Sequence, residues 1–174
     1  MNFFDDCIKA IDSILEEDEY DKYYDAFNKY EKIIVLGNGG SNSLASHIAQ
    51  DYTKRADKRA MSFSDPSMLT CYMNDYGVEN SYMEFLKDYA DLETLVILVS
   101  SSGNSANIVK ATEYCEAMSI PYGVLTAFDP DNKVRTLAKN ALFSYYIDTH
   151  VYGVAECVHQ IFLHAIVEHY EEEE

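Results

Sequence analysis

His47 and Asp51 lie four residues apart, a spacing that places an imidazole and a carboxylate on one face of any helix that carries them. Towards the other end of the chain, Glu156, Gln160 and His164 repeat that spacing twice and draw one polar line beside Val158, Ile161, Phe162, Ala165 and Ile166. Such a line on an otherwise apolar helix is better satisfied by a site shared with another helix than by solvent alone. Two imidazoles and two carboxylates suit a histidine–carboxylate metal centre or a metal-free acid–base pair. Spacing leaves both open, along with the ordinary case of helical histidines satisfied by hydrogen bonds or water.

A second kind of chemistry is written in two loops of small residues. Gly37-Asn38-Gly39-Gly40-Ser41-Asn42-Ser43 follows the apolar run Ile33-Ile34-Val35-Leu36, and Ser100-Ser101-Ser102-Gly103-Asn104-Ser105 follows Leu95-Val96-Ile97-Leu98-Val99. Each run is short, β-branched and uninterrupted, as strands buried on both faces of a parallel sheet are. Each loop then opens a helical pattern, so it offers free N–H groups, hydroxyls and a helix N-terminus to an anion. Two such loops in one small domain point to a phosphorylated ligand at the carboxyl edge of a sheet.

The elements that must position these groups follow from periodicity. Phe3, Phe4, Cys7, Ile8, Ile11, Ile14 and Leu15 mark an amphipathic helix, and a second helical stretch covers about 20–30. Strands are expected at 32–36, 59–63, 95–100, 122–126 and 141–147. Helices are expected at 43–54, 66–73, 80–89, 105–118, 133–138 and 153–170. This alternation is an α/β, three-layer, doubly wound sandwich around a five-stranded parallel sheet, flavodoxin-like with order 2-1-3-4-5. Strands one and three are then neighbours at the switch point, and their two loops sit side by side. The chain reads as a single domain, 1–174: a helical segment of about 1–30, a core of about 31–170 and an acidic tail, 171–174. Asp65 before Pro66 reads as a helix N-cap. Asn74-Asp75-Tyr76-Gly77 reads equally as a helix-ending turn or a ligand contact.

The formal charge of −17 and the lack of any basic cluster beyond Lys54-Arg55 and Lys58-Arg59 argue against a nucleic-acid partner. An acidic protein that binds phosphate does so through local donors, because its overall field is repulsive. Cys7, Cys71, Cys115 and Cys157 are scattered without a C-x-x-C pair, the pattern of reduced thiols. The first residues carry Asp5 and Asp6 instead of a basic and then apolar leader, and the apolar runs are too short for a bilayer. A cytoplasmic protein with no membrane partner is the expectation.

Gly37-Asn38-Gly39-Gly40-Ser41, Ser64-Asp65, Asn74-Asp75-Tyr76-Gly77, Ser100-Ser101-Ser102-Gly103-Asn104-Ser105-Ala106-Asn107 and the His159…His164 helix together resemble the SIS (sugar isomerase) domain family. Within it the resemblance is closest to the phosphoheptose isomerases, and it covers essentially the whole chain. It implies an aldose–ketose isomerase acting on sedoheptulose 7-phosphate through an enediol. Ser100, Ser102 and Ser105 would hold the phosphate, with Ser101 beside them among the substrate-binding residues. Asn38, Gly39, Gly40, Ser41 and Glu156 would line the substrate site, with Asn74 and Asp75 touching the sugar from the loop after strand two. Zinc, one ion per subunit, would be held by His47, Asp51, Glu156 and His164, with Asp51 and His164 as the proton-transfer pair. Further implications are a homotetramer with active sites at subunit interfaces and a heptose route into surface polysaccharide. Three positions depart from the family pattern: Asp51 stands where Glu is common, Glu156 where Gln is common, and Gly153 where a carboxylate is usual. The alternative from another class is a non-catalytic SIS module that binds a sugar phosphate or serves assembly. It would need the serine loops and nothing from the histidines.

Overall fold

The computed structural model describes residues 2–14 and 18–172. Two helices, α1 (Phe3–Ile14) and α2 (Glu19–Lys29), precede the sheet. There follow β1 (Lys32–Gly37), α3 (Gly40–Arg55), β2 (Arg59–Ser62), α4 (Pro66–Tyr76), α5 (Ser81–Tyr89), β3 (Thr94–Ser100), α6 (Ala106–Met118), β4 (Tyr122–Ala127), α7 (Lys133–Leu137), β5 (Ser144–Ile147) and α8 (Tyr152–Glu172). The five strands are all parallel in the order β2-β1-β3-β4-β5, as the alternation implies. Leu15 of the first apolar pattern and Glu173 and Glu174 of the tail lie outside the described residues.

The uninterrupted apolar runs acquire their meaning here. Ile33, Val35, Leu95, Ile97 and Val99 feed a core under α1, α2, α3 and α8, while Ile34, Leu36, Val96 and Leu98 feed a second core under α5 and α6. A central strand with a helix layer on each face has no polar side to show. The fifth strand begins at Ser144, three residues later than expected, although Leu142 N–H already donates to Tyr122 O at 2.8 Å. The Phe143 ring packs where a side chain of Gly123 would stand: a Cβ there would lie 2.1 Å from it.

Two helix boundaries shift the placement of site residues. Helix α3 starts at Gly40, ahead of the expected 43, because Gly39 takes φ +55° and Gly37 lets Ser41 close in; a Cβ at Gly37 would lie 2.6 Å from the Ser41 backbone. Helix α4 starts at the Asp65 cap, whose carboxylate accepts from Met68 N–H at 3.0 Å, and ends at Gly77, φ +78°. Asn74 and Asp75 therefore belong to the last turn of α4 and not to a loop. The glycine supplies the helix-ending conformation that the sequence reading assigned three residues earlier.

Candidate functional site

Both small-residue loops lie at the carboxyl edge of the sheet, where β1 and β3 are hydrogen-bonded neighbours. They line a cavity of about 300 Å³ whose wall includes Asn38, Gly39, Gly40, Ser41, Ser100, Ser101, Ser102 and Ser105. Tyr152 and Glu156 from the start of α8 close the opposite side. The serine loop is tightly held. Gly103 turns with φ +59°, its N–H donates to Ser100 O at 2.9 Å, and its carbonyl accepts from Val134 N–H at 2.9 Å. A Cβ on Gly103 would collide with the side chain of Asn132, the buried cap of α7. The Ser101 hydroxyl is buried with no hydrogen-bond partner among the described residues, so it is a free polar group at the cavity wall.

Glu156 reaches this cavity because position 40 is glycine. A Cβ on Gly40 would sit 2.4 Å from Glu156 Oε1. The carboxylate thus lies at the N-terminal end of α3, where the helix dipole and free N–H groups favour negative charge. Gly153 has its own occupant: a Cβ there would come within 3.1 Å of the Phe3 ring of α1. Helix α1 fills the space into which a carboxylate at that position would project.

Further along the same two helices, His47, Asp51 and His164 converge. Asp51 Oδ2 lies 3.6 Å from His47 Nε2 and 3.6 Å from His164 Nδ1, and the two imidazole centres are 5.1 Å apart. One donor atom from each of the three falls within 4.8 Å of the others. Ligand bonds of 2.0–2.1 Å to a tetrahedral zinc set donor atoms about 3.3 Å apart, so the trio fits such an ion with small rotations. Desolvation lowers the pKa of His164, the neighbouring His47 lowers it further, and Asp51 opposes them. Gln160 Nε2 stands 3.3 Å from His164 Nε2 and orients the ring from behind. Glu156, expected as the fourth ligand, is not in this group. It lies two turns of α8, about 12 Å of rise, before His164.

A hydrogen bond one residue removed from the trio ties α3 to α8 above their shared apolar core. Tyr52, next to Asp51, donates its hydroxyl to the carbonyl of Leu163, next to His164, at 3.1 Å. Tyr23 of α2 meets the Tyr52 hydroxyl in turn, and both rings are fully buried.

Asn74 and Asp75 are exposed and bond to each other at 2.9 Å; neither lines the cavity. His159 is fully buried on the sheet face, its Nε2 3.2 Å from Thr126 O and its Nδ1 without a partner among the described residues. Burial pushes its pKa down to about 4. Three residues near the loops escape a reading of spacing alone: Tyr152, Tyr82 and Asn107. Only Asn107 carried a signal, as the last residue of the second loop's motif. A larger cleft, about 1060 Å³, opens at the amino edge of the sheet between Lys32, Arg59 and Asp91, away from both loops.

No family model matches the chain. A phosphoheptose isomerase of Fusobacterium nucleatum is 32% identical over 152 residues, which is 84% of this chain and 76% of that protein. One from Sodalis glossinidius is 35% identical over 131 residues, covering 72% of this chain and 66% of its own length. Among solved structures, phosphoheptose isomerase from Neisseria gonorrhoeae superposes with a TM-score of 0.87 at 22% identity, covering 96% of this chain and 94% of that one.

Proposed function

The chain belongs to the phosphoheptose isomerase family, and from that premise we propose that it interconverts sedoheptulose 7-phosphate and a heptose 7-phosphate. The observation that carries this reading is that α3 and α8 run together from the serine cavity to the His47–Asp51–His164 trio. Between Glu156 and His164, α8 advances about 12 Å. Eight single bonds separate C1 from phosphorus in an extended seven-carbon 7-phosphate, and they span about 10 Å at the ~1.2 Å per bond of an extended chain. A phosphate on Ser100, Ser102 and Ser105 therefore delivers the carbonyl end to the trio.

Isomerisation moves one proton between C1 and C2 and another between their oxygens, through a cis-enediol. Asp51 takes the carbon-bound proton and returns it to the adjacent carbon. His164 carries the second proton from the hydroxyl that becomes the new carbonyl to the oxygen that ceases to be one. Glu156 and the Gly39–Gly40 backbone orient the sugar hydroxyls. Zinc, one ion per subunit, is the metal we assign to His47, Asp51 and His164; when bound it polarises the carbonyl.

We assign a homotetramer with sites at its interfaces. Phe4 and Ile8 on α1 are 72% and 56% exposed, and α4 buries no residue among those described. In that assembly Asn74 and Asp75, at the far end of α4 from their own cavity, serve a neighbour's sugar. The four free cysteines suit a reducing cytoplasm, where the product would feed surface polysaccharide synthesis.

The test is conversion of sedoheptulose 7-phosphate followed by NMR, with and without a chelator. Wild type should turn over, and chelation should slow it until zinc is returned. Asp51→Asn and His164→Gln should each lose about 1000-fold while keeping the native melting profile. Sugar-phosphate binding without conversion would refute the enzyme reading in favour of a binding module, and near-normal rates in both variants would remove the mechanism.

A further inference from the structure

Ser105 occupies the N-cap of α6 with extended backbone angles, φ −62° and ψ 121°, yet its hydroxyl makes no capping bond. A serine at this position ordinarily accepts from the second or third N–H of the helix. Here the third N–H, of Ile108, is taken by the side chain of Asn107, whose Oδ1 accepts it at 3.0 Å. Asn107 is 4% exposed, and the rest of its amide is also engaged. Its Oδ1 accepts from Asn38 Nδ2 at 2.8 Å, and its Nδ2 donates to Asn38 Oδ1 at 2.9 Å. The Tyr82 hydroxyl, 2.5 Å from Gly37 O and 3.1 Å from Asn38 Oδ1, shares its proton between the two. The two loops are thus welded by a reciprocal amide pair. Much of the Asn38 side chain, expected to face the sugar, is spent on that weld.

We propose that Asn107 is the positioning residue of the phosphate site: by capping α6 from inside and pairing with Asn38, it leaves the Ser105 hydroxyl and the first two N–H groups of α6 to a phosphate, and holds the glycine loop beside them. The proposal deepens the phosphate reading given above and rests on it. Deprived of Asn107, α6 has an uncapped third N–H one rotamer away from the Ser105 hydroxyl. Ser105 then turns inward to cap, and the phosphate loses its donor.

A double-mutant cycle read in two ways tests this. The probes are inorganic phosphate, by titration calorimetry, and the sugar phosphate, by steady-state kinetics. Asn107→Ala should raise the phosphate Kd and the sugar-phosphate KM together by about 10-fold, with kcat changed by less than about 3-fold. Ser105→Ala in the wild type should weaken phosphate by a similar factor and leave Tm within about 1 °C, since no cap is lost. Added to Asn107→Ala, the same change should lower Tm by about 3 °C and weaken phosphate no further, because Ser105 has become the cap. Asn107→Asp, which keeps an acceptor on Ile108 N–H, should make Ser105→Ala silent in Tm again. Equal Tm losses from Ser105→Ala in both backgrounds, or an Asn107→Ala protein that binds phosphate within twofold of wild type, would overturn the proposal. A wild type that binds no inorganic phosphate overturns it as well, together with the phosphate reading. Normal phosphate binding without turnover counts against the isomerase alone.

Discussion

His159 makes acid stability a direct reading of the sheet–α8 interface. Its imidazole is fully buried, with Nε2 facing the Thr126 carbonyl and Nδ1 unpartnered among the described residues. Burial disfavours the charged ring and pushes the folded pKa to about 4, against about 6.5 in an unfolded chain. The sign follows from linkage. A histidine whose pKa falls on folding binds fewer protons folded than unfolded, so its contribution is intact above pH 6.5 and drains away as pH falls towards 4. The full span is about 3 kcal/mol, of which about 2 kcal/mol is gone by pH 5. The comparison is wild type against His159→Gln, which keeps a donor for Thr126 O and cannot titrate. Urea unfolding at pH 7.5 and at pH 5, above the pI of about 4.5, supplies four free energies. Carboxylates common to both proteins cancel in the difference. Wild type should lose about 2 kcal/mol more than the variant between the two pH values. Parallel losses would refute the reasoning, since they would mean that the imidazole is solvated or already charged in the fold.

Two glycines give further tests with opposite signatures. Gly123→Ala drives a methyl into the buried Phe143 ring and should cost about 1–3 kcal/mol in chemical unfolding while leaving KM for the sugar phosphate near its original value. Gly40→Ala meets the flexible end of Glu156, so the melting temperature should move little; expelling that carboxylate from the cavity should cut kcat/KM by at least about 10-fold.

The topology was legible because buried parallel strands leave a one-dimensional trace. Ile33–Leu36 and Leu95–Val99 have no polar member since both of their faces are covered, and the loops after them share an edge because the order 2-1-3-4-5 leaves β1 and β3 adjacent. Helix ends were less legible where glycine could either start or end an element. Gly39 and Gly40 read as loop although α3 already begins at Gly40, and the end of α4 waits for Gly77. The four-residue spacing of His47 and Asp51 survived folding, and His164 joined them. Helical phase alone could not tell that Glu156, on the same line of α8, points at Gly40 two turns away, because that depends on how far the helices have run past each other. The role of Asn107 was hidden for a related reason. Its partner Asn38 is 69 positions away, and Tyr82, which bonds Asn38, lies 44 positions from that asparagine, so only packing shows which amide is spent indoors.

The contact from Tyr52 to the Leu163 carbonyl touches neither the serine cavity nor the His47–Asp51–His164 trio, yet it ties together the two helices that carry them. Scaffold and tool are therefore separable in this molecule. Exchanging a group at position 47, 51 or 164 leaves the strut untouched, so selection can retool the reaction on an unchanged frame, whereas damage to the strut would blunt every tool mounted on it.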